Sequence, residues 1–193
     1  MKKEKEKIIA CIKESIEIKN ELLQKEVENI LKISKVLINC LKRGGKIILF
    51  GNGGSAADAQ HIAAELIGRF RYERKAFPAI ALTTNTSVIT AIANDYDYKD
   101  IFVRQIQALA QKKDVAIGIS TSGNSDNVFE GLIMAKHLGL VTISLTGKDG
   151  GKIARISDYN INIPSKHTAR IQEAHITIGH ILCELIEDKL SND

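Results

Sequence analysis

His61 and Glu65 stand four residues apart in the stretch GNGGSAADAQHIAAE, residues 51–65. That spacing puts both on one face of a helix. Gln172 and His180 belong to a later helical stretch, where eight residues bring the chain round to within about 80° of the same face. Two imidazoles, a carboxylate and an amide oxygen are donors that hold a divalent ion of the zinc class. A carboxylate beside an imidazole is also the pair that general acid–base chemistry uses. The spacing is not H-E-x-x-H, and glutamine is an unusual ligand. The residues alone therefore leave open a metal site or two ordinary helix faces. His137 and His175 sit beside apolar residues in helical segments and read as core or surface histidines. His167, just ahead of the last helix, reads as its cap.

Three loops could receive a ligand. Gly51, Asn52, Gly53, Gly54 and Ser55 follow the apolar run 47–50 and open a helix. The glycines fit neither G-x-G-x-x-G nor G-x-x-x-x-G-K-[ST], so a dinucleotide or Walker site is disfavoured. What stays open is a tight strand-to-helix turn or a ligand cradle. The second loop, Ser120-Thr121-Ser122-Gly123-Asn124-Ser125, sets four hydroxyls and a glycine at the start of a helix. Hydroxyls and backbone N–H groups there can hold a phosphate dianion without a lysine. An N-cap role accounts for Ser125 and leaves the other three unexplained. The third loop, 146–151, reads as a flexible turn without chemistry.

These loops need a scaffold that brings them to one edge. The pattern predicts strands at 46–50, 79–82, 115–120, 141–146 and 159–164. Helices are expected at 54–70, 87–94, 101–111, 126–138 and 168–190. Strands that are continuous apolar runs between helices imply a parallel sheet covered on both faces, an α/β fold. Ligands of such a sheet bind at the carboxyl ends of its strands.

Residues 5–43 contain no Gly or Pro and repeat apolar residues at helical spacing until Gly44-Gly45 ends the run. One straight helix of that length would reach about 58 Å, against about 40 Å for a domain of this size. The segment must bend into two helices or reach onto another subunit, and a homo-oligomer is expected. The 193 residues suit one domain. The net charge of +4 is small and scattered, and no aromatic residues interleave with basic ones, which argues against a nucleic-acid partner. No stretch approaches the length of a membrane span. Cys11, Cys40 and Cys183 lie far apart in helical contexts, as reduced thiols of a cytoplasmic protein do.

Five segments in order, GNGGSAADAQHIAAELIGRF, AIANDY, GISTSGNS, LTGKDGG and ARIQEAHITIGHI, resemble the phosphoheptose isomerases of the sugar isomerase (SIS) domain family. The likeness runs from about Gly44 to the C-terminus. It implies a SIS-domain fold, a five-stranded parallel sheet flanked by helices behind a long N-terminal helical segment. A single domain would span 1–193, with 1–43 contributing to oligomerisation and 44–193 forming the sugar-phosphate-binding core. The activity implied is conversion of D-sedoheptulose 7-phosphate to D-glycero-D-manno-heptose 7-phosphate through an enediolate, the first step of heptose precursor synthesis for lipopolysaccharide core or surface glycans. Carried over, one Zn2+ per site would be held by His61, Glu65, Gln172 and His180. Glu65 and His180 would be catalytic. Substrate contacts would fall on Asn52, Gly53, Gly54, Ser55, Glu65, Arg69, Asn94, Asp95, Ser120, Thr121, Ser122, Ser125 and Gln172. Read without the resemblance, Asn94-Asp95 is a helix-ending turn. A homotetramer with sites at subunit interfaces is implied, with no nucleic acid or membrane as partner.

One position departs from the family pattern: Ala169 stands where an acidic residue often precedes Arg-Ile-Gln. The alternative reading is a non-enzymatic SIS paralogue that serves as a replication-initiator-associating scaffold. A scaffold has no physical need for His61, Glu65 and His180 together.

Overall fold

The computed structural model describes residues 1–191; the last two residues of the domain expected over 1–193 lie outside the described residues. Two N-terminal helices, α1 (Lys2–Lys25) and α2 (Val27–Lys42), lead into β1 (Ile47–Gly51), α3 (Gly54–Ile67) and β2 (Ala79–Ala81). Next come α4 (Thr86–Asp95), a 3-10 turn (Tyr98–Asp100), α5 (Ile101–Leu109), β3 (Val115–Ser120) and α6 (Asp126–His137). The chain closes with β4 (Val141–Gly147), α7 (Gly151–Ile156), β5 (Tyr159–Ile163) and α8 (Thr168–Leu190). Among the described residues no helix is long and apolar enough to cross a membrane.

The sheet is five-stranded and wholly parallel, in the order β2-β1-β3-β4-β5. Its central strands are buried almost throughout because both faces are covered, and β4 alternates its apolar residues with buried Thr142, Ser144 and Thr146. Ile47 and Leu49 pack into one core with Leu37, Leu66 and Ile178 from α2, α3 and α8. Ile48 and Phe50 pack into the other with Ile106, Val128 and Ile153 from α5, α6 and α7. The strand order reverses between β1 and β3. At such a switch point the two following loops diverge and leave a crevice. The loops are the glycine turn after β1 and the serine loop after β3.

The N-terminal segment bends. The break falls at Glu26 (φ −112°, ψ −4°), without a glycine or proline. Tertiary bonds supply the reason. The side-chain amide of Asn29 donates to the Asn160 carbonyl of β5 (2.8 Å), which ties the start of α2 to the sheet. α1 instead crosses the start of α8, where Arg170 Nη1 donates to the Cys11 carbonyl (3.0 Å). His167 occupies the N-cap position of α8 but does not cap it; its Nδ1 lies 2.6 Å from Glu14 Oε1. Only Ile18 and Leu22 of α1 are buried. Ile8, Ile9, Ile12, Ile16 and Leu23 remain 43–70% exposed.

The loop read as a flexible turn is structured. Gly151 starts α7, and Gly150 and Gly151 both hold positive φ (83° and 56°). They interlock with the serine loop: the Gly123 carbonyl accepts from Ile153 N (3.0 Å), and a methyl on Gly123 would run into the Gly150 carbonyl. All three cysteines are free thiols, and burial raises Cys40 to about 11 and Cys183 to about 12. His175 is fully buried and its Nε2 donates to the Thr146 carbonyl (2.9 Å); burial lowers its pKa to about 4, so it stays neutral.

Gly123→Ala adds a Cβ at φ +67° against backbone that cannot yield. The expected loss is about 2–3 kcal/mol of stability, measured by thermal or chemical denaturation, whereas Gly53→Ala, whose Cβ would meet open space, is expected to lose less.

Candidate active site

α3 and α8 lie side by side and run parallel. Gly54 meets Gln172, and Ile62 meets Gly179. The approach is close because Gly179 has no side chain; a Cβ there would lie 2.6 Å from Ile62 Cδ1. The next residue, His180, therefore meets His61. Their rings stand edge to face with centroids 4.9 Å apart, and the two Nε2 atoms are 3.5 Å apart. His61 Nε2 also lies 3.1 Å from Glu65 Oε1. The ligand atoms of His61, Glu65 and His180 all fall within 4.8 Å of one another. Tetrahedral zinc with bonds of about 2.05 Å sets its ligands about 3.4 Å apart. Two of the three spacings, 3.1 and 3.5 Å, bracket that edge and the third lies within 4.8 Å, so a small side-chain adjustment would fit the residues to such an ion. Two imidazole nitrogens turned towards each other also leave one of them needing a shared proton or a cation.

Gln172 sits at the other end of the contact, its amide packed over Gly54. It is eight residues, about 12 Å of helix, before His180. A methyl on Gly54 would displace that amide. Next to it, Gly53 holds φ +55° with open space where a Cβ would be, a conformation that glycine adopts readily and other residues rarely do. Asn52 is clamped: its side chain exchanges two hydrogen bonds with Asn127 (2.8 Å each) and accepts from the Tyr98 hydroxyl (3.2 Å). Ser55 is buried in the first turn of α3.

The serine loop faces this turn across the switch point. Ser120 Oγ lies 3.0 Å from Ser125 Oγ and 3.4 Å from Ser122 Oγ. Ser125 is the N-cap residue of α6, yet its side chain makes no cap bond and turns into the hydroxyl cluster instead. Thr121 is half-buried between its neighbours. The nearby Lys152 is held by Asp126 (2.5 Å) and lies over the Phe129 ring. An anion here would thus meet hydroxyls and amides.

Arg69, Asn94 and Asp95 are placed differently. Arg69 is exposed beyond α3, with Nε 3.9 Å from Glu73. Asn94 and Asp95 end α4, exposed and bonded to each other (2.8 Å). Within this chain and among the described residues, they form no hydrogen bond or ion pair with the imidazole cluster or the serine loop. Ala169 lies exposed in the first turn of α8, which carries no acidic residue.

The structure adds groups that sequence reasoning missed. Phe70 packs its ring on His180 (centroids 5.7 Å apart). Asp58 stands one helical turn before His61, with Oδ2 buried and unpartnered. A helix-face reading of residues 51–65 would have found Asp58; nothing local marks Phe70, Tyr98 or Asn127.

The SIS domain family model matches residues 11–147. The phosphoheptose isomerase of Aquifex aeolicus is 54% identical over 183 residues, covering 95% of this chain and 96% of that protein. The chain belongs to the phosphoheptose isomerase branch of the SIS domain family. The phosphoheptose isomerase of Clostridium acetobutylicum is 52% identical over 185 residues, covering 95% and 94%. The solved phosphoheptose isomerase of Neisseria gonorrhoeae superposes with a TM-score of 0.91 at 45% identity, covering 95% of this chain and 98% of that one. Phosphoheptose isomerase relatives that match end to end leave the scaffold alternative without support.

Asp58 yields a prediction. Burial raises its pKa from 3.8 to about 6, partly offset by His61. Between those values the folded state binds more protons than the unfolded state, so this group makes stability fall as pH rises from about 4 to 6, and the loss persists above. In metal-stripped protein, Asp58→Asn should therefore gain stability over wild type between pH 4 and pH 7, as urea denaturation at both pH values would measure.

Proposed function

We propose that this chain interconverts D-sedoheptulose 7-phosphate and D-glycero-D-manno-heptose 7-phosphate. The observation that carries this reading is the gathering of His61, Glu65 and His180 within 4.8 Å along a helix contact whose other end opens on the glycine turn and the serine loop. Going from ketose to aldose, one proton leaves C1 and arrives at C2, and one hydroxyl proton moves from O1 to O2. The intermediate is an enediolate, a charge that must be stabilised as it develops.

Glu65 is assigned as the base at carbon and His180 as the acid–base group at oxygen. Ser120, Thr121, Ser122 and Ser125, with Ser55 and the amides of Gly53 and Gly54, grip the phosphate. Asn52, Gln172, Asn94, Asp95 and Arg69 are assigned to the sugar hydroxyls and charge. The distances support a tail-held, head-reacting substrate. Gly54 and His61 are seven residues apart, about 10 Å of helix. An open seven-carbon chain from C1 to its phosphorus spans roughly 9 Å, scaling from an extended backbone. Binding energy at the phosphate can then position a flexible chain at the reacting carbons.

His61, Glu65 and His180 are the residues that would hold Zn2+; Gln172, the fourth donor implied by the resemblance, is not brought to them within this chain, since its amide packs over Gly54. When bound, such an ion supplies Lewis acidity to the carbonyl and hydroxyl oxygens. The exposed stripe of Ile8, Ile9, Ile12, Ile16 and Leu23 on α1 supports self-association, since contiguous apolar surface on a folded chain marks an interface, and the assembly implied by the resemblance is a homotetramer. His61 is 48% exposed at its side chain, and a neighbouring subunit would shield it from water. Free thiols support a cytoplasmic setting.

Purified protein is expected to turn over sedoheptulose 7-phosphate, with loss on chelation and recovery with Zn2+. Glu65→Gln and His180→Gln should each lower kcat by about 100-fold or more while circular dichroism stays unchanged; wild-type rates in both would remove the assignment. Ile12→Lys is expected to lower the assembly mass in sedimentation analysis.

A further inference from the structure

Glu187 lies seven residues after His180 on α8, two turns on and on the same face. It is fully buried. Its carboxylate accepts from the backbone N–H groups of Phe70 (2.9 Å), Arg71 (2.6 Å) and Tyr72 (3.1 Å), and from Arg74 Nε (2.9 Å). Burial would raise its pKa, but the three N–H bonds and Arg74 outweigh that and hold it below the usual value. The carboxylate is therefore charged.

Arg74 is equally enclosed, its side chain 4% exposed. Its Nη1 donates to the carbonyls of Leu66 (2.9 Å), Gly68 (3.2 Å) and Lys75 (3.1 Å), and Nη2 donates to that of Glu65 (2.8 Å). The last carbonyls of a helix have no partner within it. Here a single guanidinium takes two of those of α3, at Glu65 and Leu66, the first being the residue assigned as base and ligand. Between the two ends of this clamp sits Phe70, whose amide is held by Glu187 and whose ring packs on His180.

We propose that the Glu187–Arg74 pair is a positioning device for the imidazole–carboxylate cluster: it fastens the C-terminal end of α3 to α8, fixing Glu65 directly and His180 through Phe70. A buried ion pair is weak evidence for stability as such. The partners of this pair are the backbone at Glu65 and at Phe70, on either side of the cluster. The inference rests on the metal-binding reading of His61, Glu65 and His180.

Co2+ serves as the probe, because its visible spectrum reports coordination geometry. Metal-stripped wild type, Glu187→Gln, Arg74→Lys and Phe70→Leu are titrated with Co2+, with melting temperature and inorganic phosphate affinity measured alongside. Groups that orient metal ligands alter affinity by about 10–100-fold. Glu187→Gln and Arg74→Lys are expected to bind Co2+ at least about 10-fold more weakly with a changed spectrum, and phosphate affinity should stay within about two-fold of wild type. Should Glu187→Gln fail to fold, Arg74→Lys and Phe70→Leu carry the test. A lowered melting temperature with wild-type Co2+ affinity and spectrum would mark a purely structural pair and overturn the inference. Wild type that does not bind Co2+ would overturn the metal reading itself, a distinguishable result.

Discussion

Ile62 of α3 seats against bare backbone of α8 at Gly179, and the meeting of His180 with His61 and Glu65 follows from that approach. With a side chain at 179 the helices would stand further apart, and His61 and His180 would no longer meet at 3.5 Å. The same parallel contact sets Gln172 over Gly54 at one end and aims Glu187 at the loop after α3 at the other. Helices are stiff on this scale, so one close contact fixes the register along their shared length.

The sheet supplies the second half of the site by a different physical route. Reversal of strand order between β1 and β3 opens a crevice, and the two loops bordering it are stiffened from behind. Asn127 and Tyr98 clamp Asn52, while the glycines at 150 and 151 lock the serine loop by backbone contact. Lys152, whose backbone N–H donates to Asn124 of that loop, has its ammonium engaged by Asp126. Hydroxyls and amides are thus left to meet an anion, an arrangement suited to a phosphate, which many weak donors of fixed direction would hold.

Much of the architecture was legible because it rests on local chemistry. β3 and α8 begin and end where apolar runs and helical periodicity place them, and most other boundaries fall within one to three residues. Three features escaped. α7 is six residues long and opens on Gly150-Gly151, so it shows neither periodicity nor the usual start signals. That the N-terminal segment bends or reaches onto another subunit was legible from its length, but the place of the bend was not: Glu26 is no breaker residue, and the bend is imposed by Asn29 reaching the sheet and by α1 crossing α8. His167 stands at a capping position, but the carboxylate of Glu14, 153 residues away in sequence, takes its ring.

The donor inventory and the helical phase of His61 with Glu65 are properties of the chain, since four residues on a helix share a face whatever surrounds them. The parallel sheet follows likewise from largely apolar strand runs that alternate with helices. Which distant helix meets α3, and at what register, is not a local property. It depends on Gly179 finding Ile62 across 117 positions, and only packing in three dimensions selects that pairing from the many helix faces available. The completed cluster of two imidazoles and a carboxylate, and the buried arginine–glutamate clamp beside it, exist only once that choice is made.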